Sequence, residues 1–188
     1  MSRIEMVQNA QASPELKEIY NNLSKNGAKI INLYRIVAHN PRALLNFLRL
    51  GNSLLVGTEL PPKLRELAIL RVAKLAGSEY EWSQHYPIAL ELGIDQKQIQ
   101  AISNWNTSTN FNDIESAVLQ YTDEVAQNVE VKDETFKVLQ LHLNERSIVE
   151  LTLSIGYWGM VARVLVSLQI NIDTQTIGST RELTGREG

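Results

Sequence analysis

The stretch Pro61-Pro62-Lys63-Leu64-Arg65-Glu66-Leu67-Ala68-Ile69-Leu70-Arg71-Val72-Ala73-Lys74-Leu75-Ala76-Gly77-Ser78-Glu79-Tyr80-Glu81-Trp82-Ser83-Gln84-His85 decides the fold. The paired prolines open a helix, because proline at the first helical position gives up no hydrogen bond and pre-sets φ. Behind them Leu64, Leu67, Ala68, Leu70, Ala73 and Leu75 recur at helical spacing, and Gly77 supplies the stop. Ser78 can then cap a second helix. Along it Ser78, Glu81 and His85 stand at i, i+3 and i+7, so their side chains share one face, with Glu66 on the helix before. A carboxyl, an imidazole and a hydroxyl on one stripe of an otherwise apolar helical sequence are what a proton-transfer site requires.

Helical punctuation continues in both directions. Ser13-Pro14-Glu15 sets a cap, a proline and a first-turn acid, predicting a helix to about Asn22, and a short helix is expected over Ile31 to Ala38. Asn40-Pro41 repeats the signal for a helix from Arg42 to Val56. The helix that Ser78 caps should reach Gly93 and bend at Pro87, which lacks a backbone donor. Asp95 caps a short helix to Ile102, and Asn104 to Asn110 reads as a loop. Asn112 and Glu115 form a capping-box pattern for a helix to about Asn128. Asp133 begins another helix to Leu141. Asn144 opens the last long one, apolar on nearly every side and expected at the centre of the fold or in a subunit interface. No strand pattern of period two is present, so the fold class is all-α, a bundle of roughly eight helices. Residues 1–173 read as one domain, with a core at 40–173 and a helical extension at 1–39. The polar tail 174–188 is expected to be disordered.

Composition narrows the function classes. A net charge of −3 with scattered lysines and arginines leaves no footprint for nucleic acid or an anionic membrane, so neither partner is expected. The chain has no cysteine, which excludes disulfides, thiolate metal sites and sulfur nucleophiles. The N-terminus carries an early acid and no apolar run, so no signal peptide is read there. The apolar stretch Ile148 to Ile170 is interrupted by Glu150, Arg163 and Gln169 and reads as a core helix rather than a span. A cytoplasmic location is the expectation.

Each candidate for chemistry has a plainer alternative. Glu81 and His85 can shuttle a proton, the acid orienting the imidazole, or they are a surface i,i+4 pair worth about 0.2–0.5 kcal/mol. Glu66, among apolar neighbours, can be a carboxyl with raised pKa, or an acid paired with Lys63 or Lys74. Arg163, inside the most apolar helix, needs an anion: Glu150 or a substrate carboxylate held bidentately. Tyr157, between Gly156 and Gly159, can offer a hydroxyl to a pocket. His39 and His142 lack metal-ligand spacing, and neither a metal nor a cofactor is expected.

At these residues the sequence resembles the carboxymuconolactone decarboxylase family, within the alkylhydroperoxidase D-like (AhpD-like) superfamily. The resemblance is carried by Leu64 to Ala73, Glu79-Tyr80-Glu81-Trp82-Ser83-Gln84-His85, Ala89 and Leu92-Gly93-Ile94. In the second half it continues through Tyr121-Thr122-Asp123-Glu124, Glu150 to Tyr157, Met160-Val161-Ala162-Arg163 and Ile172-Asp173. It implies an all-helical, AhpD-like fold that self-associates as a trimer or hexamer built on dimers, with the site near a subunit boundary. The peroxidase branch carries Cys-x-x-Cys-x-x-x-His behind a proton-relay glutamate. Laid on this chain, the glutamate is Glu66, the histidine is His85, the cysteine positions are Ser78 and Glu81, and a second histidine position is Tyr80. Without thiols no disulfide cycle operates, so thiol-peroxidase activity is not expected.

The decarboxylase branch is similar in placing a glutamate four residues before the histidine. It implies a small carboxylated substrate, a lactone for instance, with Glu66, Glu81 and His85 as the catalytic set. Glu66 or His85 would deliver the proton and Glu81 would orient His85. Ser78, Tyr80 and Arg163 would support them, Arg163 by holding a substrate carboxylate. Two functions compete: a carboxy-lyase or lactone-processing enzyme with a Glu/His relay, and a non-catalytic oligomer binding a small acid. They part on whether Glu66, Glu81 and His85 converge on one closed pocket.

Overall fold

A computed structural model describes residues 2–174, 177 and 179–185, and among them every regular element is a helix. The α-helices are α1 (Pro14–Lys25), α2 (Asn32–Val37), α3 (Pro41–Leu55), α4 (Pro62–Ala76), α5 (Glu79–Glu91), α6 (Gln96–Ala101), α7 (Asp113–Asp123), α8 (Asp133–Gln140), α9 (Glu145–Ser167) and α10 (Thr180–Thr184). Tighter 3-10 turns cover Asn9–Gln11 and Ile102–Thr107, the latter running from the end of the expected short helix into the expected loop. The helix expected to run to Asn128 loosens into a π turn at Glu124–Asn128. The caps act where the sequence places them. Ser13 Oγ accepts from the Leu16 amide and Asn40 Oδ1 from the Ala43 amide, while Asp95 with Gln98 and Asn112 with Glu115 close reciprocal boxes. Gly77 ends α4 at φ 64°, a left-handed turn that favours glycine.

Helix α4 is the centre of the molecule. It packs against α9, α5 and α7, and Leu67, Ala68, Ile69 and Leu70 are fully buried. A helix surrounded on every side has no solvent face for its polar groups, so Arg65 and Glu66 are buried with the rest. Helix α9, expected at the centre of the fold or in a subunit interface, packs one face on α4 and leaves Val149, Leu153, Met160 and Val166 exposed. It is long and apolar enough to cross a membrane by length and composition, but more than half of its most apolar window is buried inside the fold, as in a core helix.

Part of the tail departs from the expectation of disorder. Ile177 is fully buried, Ser179 caps α10 by accepting from the Glu182 amide, and the Tyr34 hydroxyl donates to the Leu183 carbonyl at 3.1 Å. One apolar side chain and one cap are enough to dock it; residues 175, 176, 178 and 186–188 lie outside the described residues. Asp173 ties this end to the extension and to α5. Its carboxylate accepts from the Asn32 amide at 2.9 Å, the Tyr80 hydroxyl, and Gln84 Nε2 at 3.4 Å.

Candidate functional site

Three helices deliver the site. Glu66 comes from α4, Tyr80, Glu81, Gln84 and His85 from α5, and Tyr157 and Trp158 from α9. His85 Nδ1 lies 2.7 Å from Glu66 Oε2, and Trp158 Nε1 donates to His85 Nε2 at 2.9 Å. The two rings meet edge-on, centroids 5.6 Å apart. An indole nitrogen can only donate, so Nε2 carries no proton, and the ring proton sits on Nδ1 and is donated to the Glu66 carboxylate. His85 is therefore a neutral imidazole of fixed tautomer with both nitrogens engaged. Glu66 does not pair with Lys63 or Lys74: Lys63 reaches Glu115 at 2.8 Å, and Lys74 lies over the Trp82 ring. Its other oxygen faces Arg65 Nε at 3.6 Å, an ion-pair distance rather than a hydrogen bond.

Glu81 plays a different part from the one its spacing predicts. It makes no hydrogen bond to His85; both carboxyl oxygens are buried without a partner, and the residue is 2% exposed. Burial first, and the nearby Glu66 carboxylate second, push the Glu81 carboxyl well above the usual carboxylate range. The intrahelical Glu81–His85 pair gives way to an interhelical one, since α4 brings Glu66 against the imidazole. The result is an orienting carboxylate, Glu66, and a separate, unpartnered acid, Glu81.

Glu81 and His85 line a cavity of about 80 Å³ between α3, α5 and α9. Leu23, Ile31, Leu33 and Tyr34 of the extension and Leu183 of the tail complete its wall. Gly51 of α3 is required there: a Cβ would lie 2.5 Å from the Tyr157 hydroxyl, which donates to the Phe47 carbonyl at 3.0 Å. Helices α3 and α9 thus approach closely at Gly51, a glycine the sequence reading does not single out.

Of the expected supporting residues, Ser78 caps α5, its hydroxyl accepting from the Glu81 amide at 3.4 Å. Tyr80 lines the cavity with its hydroxyl donating to Asp173 and accepting from the Leu33 amide at 3.3 Å. Burial and the Asp173 carboxylate raise its pKa. Arg163 corrects the expectation of a buried, substrate-holding guanidinium. It is exposed, donates to its own helix at the Gly159 carbonyl at 2.7 Å, and lies on a different groove. Glu150 is not its partner, accepting instead from the Glu59 and Leu60 amides and from Arg146. The buried arginine is Arg65, with Nη1 donating to Thr58 Oγ1 at 3.3 Å. Sequence reasoning also passed over Asn52, Gln84 and Trp158, all in the cavity wall. Trp158 had a signal, an obligate donor in the core helix. Asn52 had none, because a lone asparagine in a helix looks like surface. Among the described residues no group of three or more His, Asp or Glu side chains is arranged to hold a metal ion.

Known proteins were compared with this geometry. The carboxymuconolactone decarboxylase family model matches residues 41–124. No curated protein matches the chain. Several solved structures share the fold. An AhpD-core, peroxidase-related protein from Ralstonia eutropha JMP134 is 17% identical, with 99% of this chain and 97% of that one aligned at a TM-score of 0.78. A peroxidase-related protein from Silicibacter sp. TM1040 is 17% identical, with 95% of each chain aligned at 0.78. The debrominase Bmp8, as a cysteine-to-alanine variant in complex with 2,3,4-tribromopyrrole, is 20% identical, with 93% of this chain and 95% of that one aligned at 0.76. At such identities the likeness is one of fold. The chain, which has no cysteine, is thus similar to the carboxymuconolactone decarboxylase family over residues 41–124 and is folded as the AhpD-like proteins are.

Proposed function

We propose that the protein is a proton-transfer enzyme of the lyase or lactone-processing type, in which Glu81 is the acid that meets the substrate. The observation that carries this reading is the Glu81 carboxyl, facing a cavity with neither oxygen bonded to protein. A neutral acid in an apolar site can hand its proton to an electron-rich carbon. Where carbon dioxide loss leaves an electron pair on a substrate carbon, or a lactone enters as its enol tautomer, the Glu81 proton goes to that carbon, an enol O–H gives its proton to solvent, and the carboxylate regains a proton from solvent. Glu66, His85 and Trp158 form a rigid wall behind it. The Glu66 carboxylate also disfavours ionised Glu81, which keeps the acid loaded. The debrominase of the same fold holds a small ring compound, and a small ring is proposed here too.

Purified protein tested on a panel of lactones and β-keto acids should release product or carbon dioxide. Glu81→Gln and His85→Ala should each lower the rate by about a hundredfold or more, the range of a lost general acid. Turnover indifferent to Glu81→Gln would end this assignment. Hydroperoxide with a dithiol should be consumed at the buffer rate. A second reading, binding without turnover, is favoured by one observation: both His85 nitrogens are already engaged, so the imidazole has none free for a substrate.

Self-association is also proposed, through the outer face of α9. Val149, Leu153, Gly156, Met160, Arg163 and Ser167 are exposed and alternate by four and three, the repeat of a helix–helix seam. Gly156 has open space where a Cβ would be, which admits a second helix closely. A neighbouring groove of about 440 Å³, between α4, the π turn and α9, extends the same face. A second copy of the chain, presenting the same seam, is the occupant these features fit.

A further inference from the structure

We infer that the cavity beside Glu81 takes an uncharged small ring carrying one hydrogen-bond donor and one acceptor, with Asn52 reading the donor, and that it discriminates against free carboxylates. This deepens the lactone-processing form of the proton-transfer reading, rests on it for the neutral state of Glu81, and sets aside its carboxy-lyase form, whose substrate enters as a carboxylate. It departs from the carboxylated substrate that the family resemblance implies.

The polar groups of the wall carry the argument. Most are already committed to protein. The Tyr80 hydroxyl donates to Asp173, the Tyr157 hydroxyl to the Phe47 carbonyl and the Tyr34 hydroxyl to the Leu183 carbonyl. Gln84 Nε2 donates to Asp173, and its Oε1 accepts from the Ile177 amide at 3.1 Å. His85 and Trp158 hold each other, and Glu66 takes the remaining imidazole nitrogen. Among the described residues two side chains in the wall keep buried polar atoms unpaired: the half-buried Asn52 at Oδ1 and the buried Glu81 at both carboxyl oxygens. Leaving such atoms unpaired costs about 1–3 kcal/mol each, so a ligand that pairs them gains selectively over one that cannot.

Charge decides the rest. Among the described residues no lysine or arginine lines the cavity. Arg65 is turned to Glu66 and Thr58, and Arg163 lies on another groove. A carboxylate entering here would lose its hydration against Leu33, Phe47, Leu48, Leu55, Val161 and Leu165 with no cation to replace it, and it would sit near the Glu66 carboxylate. Burying an unpaired carboxylate costs several kcal/mol. The cavity of about 80 Å³ is about half the roughly 150 Å³ that holds benzene in another protein, so it admits nothing larger than a single small ring.

Five-membered probes separate these terms. 2-Pyrrolidinone has an N–H and a carbonyl, cyclopentanone the carbonyl alone, and cyclopentanecarboxylate the charge. Binding is read at neutral pH from the Trp158 indole N–H resonance in two-dimensional NMR of the full chain. The lactam should bind about tenfold or more tighter than the carboxylate. It should bind about five- to tenfold tighter than the ketone, and Asn52→Leu should erase that second advantage. Equal or tighter binding of the carboxylate, no response to the lactam, or a lactam advantage that survives Asn52→Leu would overturn the inference. The wild-type ranking needs no variant to fold. Glu81→Gln, which keeps an uncharged donor and acceptor, should retain it. Loss of turnover assignments with the ranking intact would sink the enzyme reading alone; a carboxylate preference with turnover dependent on Glu81 would sink this one alone.

Discussion

Glu81→Gln isolates the protonation state on which the site turns. The carboxyl is 2% exposed and unpartnered, and burial and the Glu66 carboxylate both push its pKa up. In the unfolded chain the same group sits in water and ionises near pH 4.3, at about the ordinary glutamate value. Above that pH the unfolded state has released the proton while the folded state keeps it. A group with a raised folded pKa contributes its full stability below the unfolded pKa and loses it as pH rises towards the folded one. The slope for one proton is about 1.4 kcal/mol per pH unit. As pH rises from about 5 to about 6, wild type should therefore lose stability relative to Glu81→Gln, which keeps the shape and does not titrate, with that slope as the upper limit. Below about pH 4 the two profiles should run parallel. Urea unfolding of both proteins at matched concentration measures the difference. A difference flat across that window would mean that Glu81 ionises alike in both states, and the neutral-acid argument would fail.

Other consequences follow from single contacts. Trp158→Phe removes the donor to His85 Nε2 and leaves a buried acceptor unpaired, a loss of about 1–3 kcal/mol. Nitrogen-15 NMR of the imidazole should then change from one tautomer to a mixture, and an unchanged spectrum would show that the indole does not fix the ring. Gly51→Ala brings a Cβ to 2.5 Å from the Tyr157 hydroxyl and should destabilise by about 1–3 kcal/mol in thermal melts. Adding Tyr157→Phe removes the clashing oxygen and should restore part of that loss; no recovery would place the strain elsewhere. Leu153→Asp puts a charge on the outer α9 seam. Light scattering should show wild type as a multiple of 21.2 kDa and the variant shifted towards it, whereas identical masses would remove α9 from the interface.

The helices were legible in the sequence because their signals are local. Ser13, Asn40, Asp95, Asn112 and Asn144 each cap the helix they precede, and a cap needs only a side-chain oxygen within three residues of a free amide. Glu66, Glu81 and His85 were nameable for a related reason, since spacing puts two of them on one face and resemblance adds the third. Their division of labour was not. Sequence spacing pairs Glu81 with His85 on one helix, but which carboxylate reaches an imidazole depends on how α4 and α5 are rotated against each other. Burial misled in the same way at Arg163. Apolar neighbours in sequence flank it on both sides, yet a helix turns about 100° per residue, so those neighbours face the core while Arg163 faces out. Arg65, to which the sequence reading gives no role, is buried because residues 64–70 of α4 are enclosed on every side. The chain alone determined the helices and the chemical groups they carry; the packing of α3, α4, α5 and α9 decided which polar atoms found partners, and those left without one define what the cavity can bind.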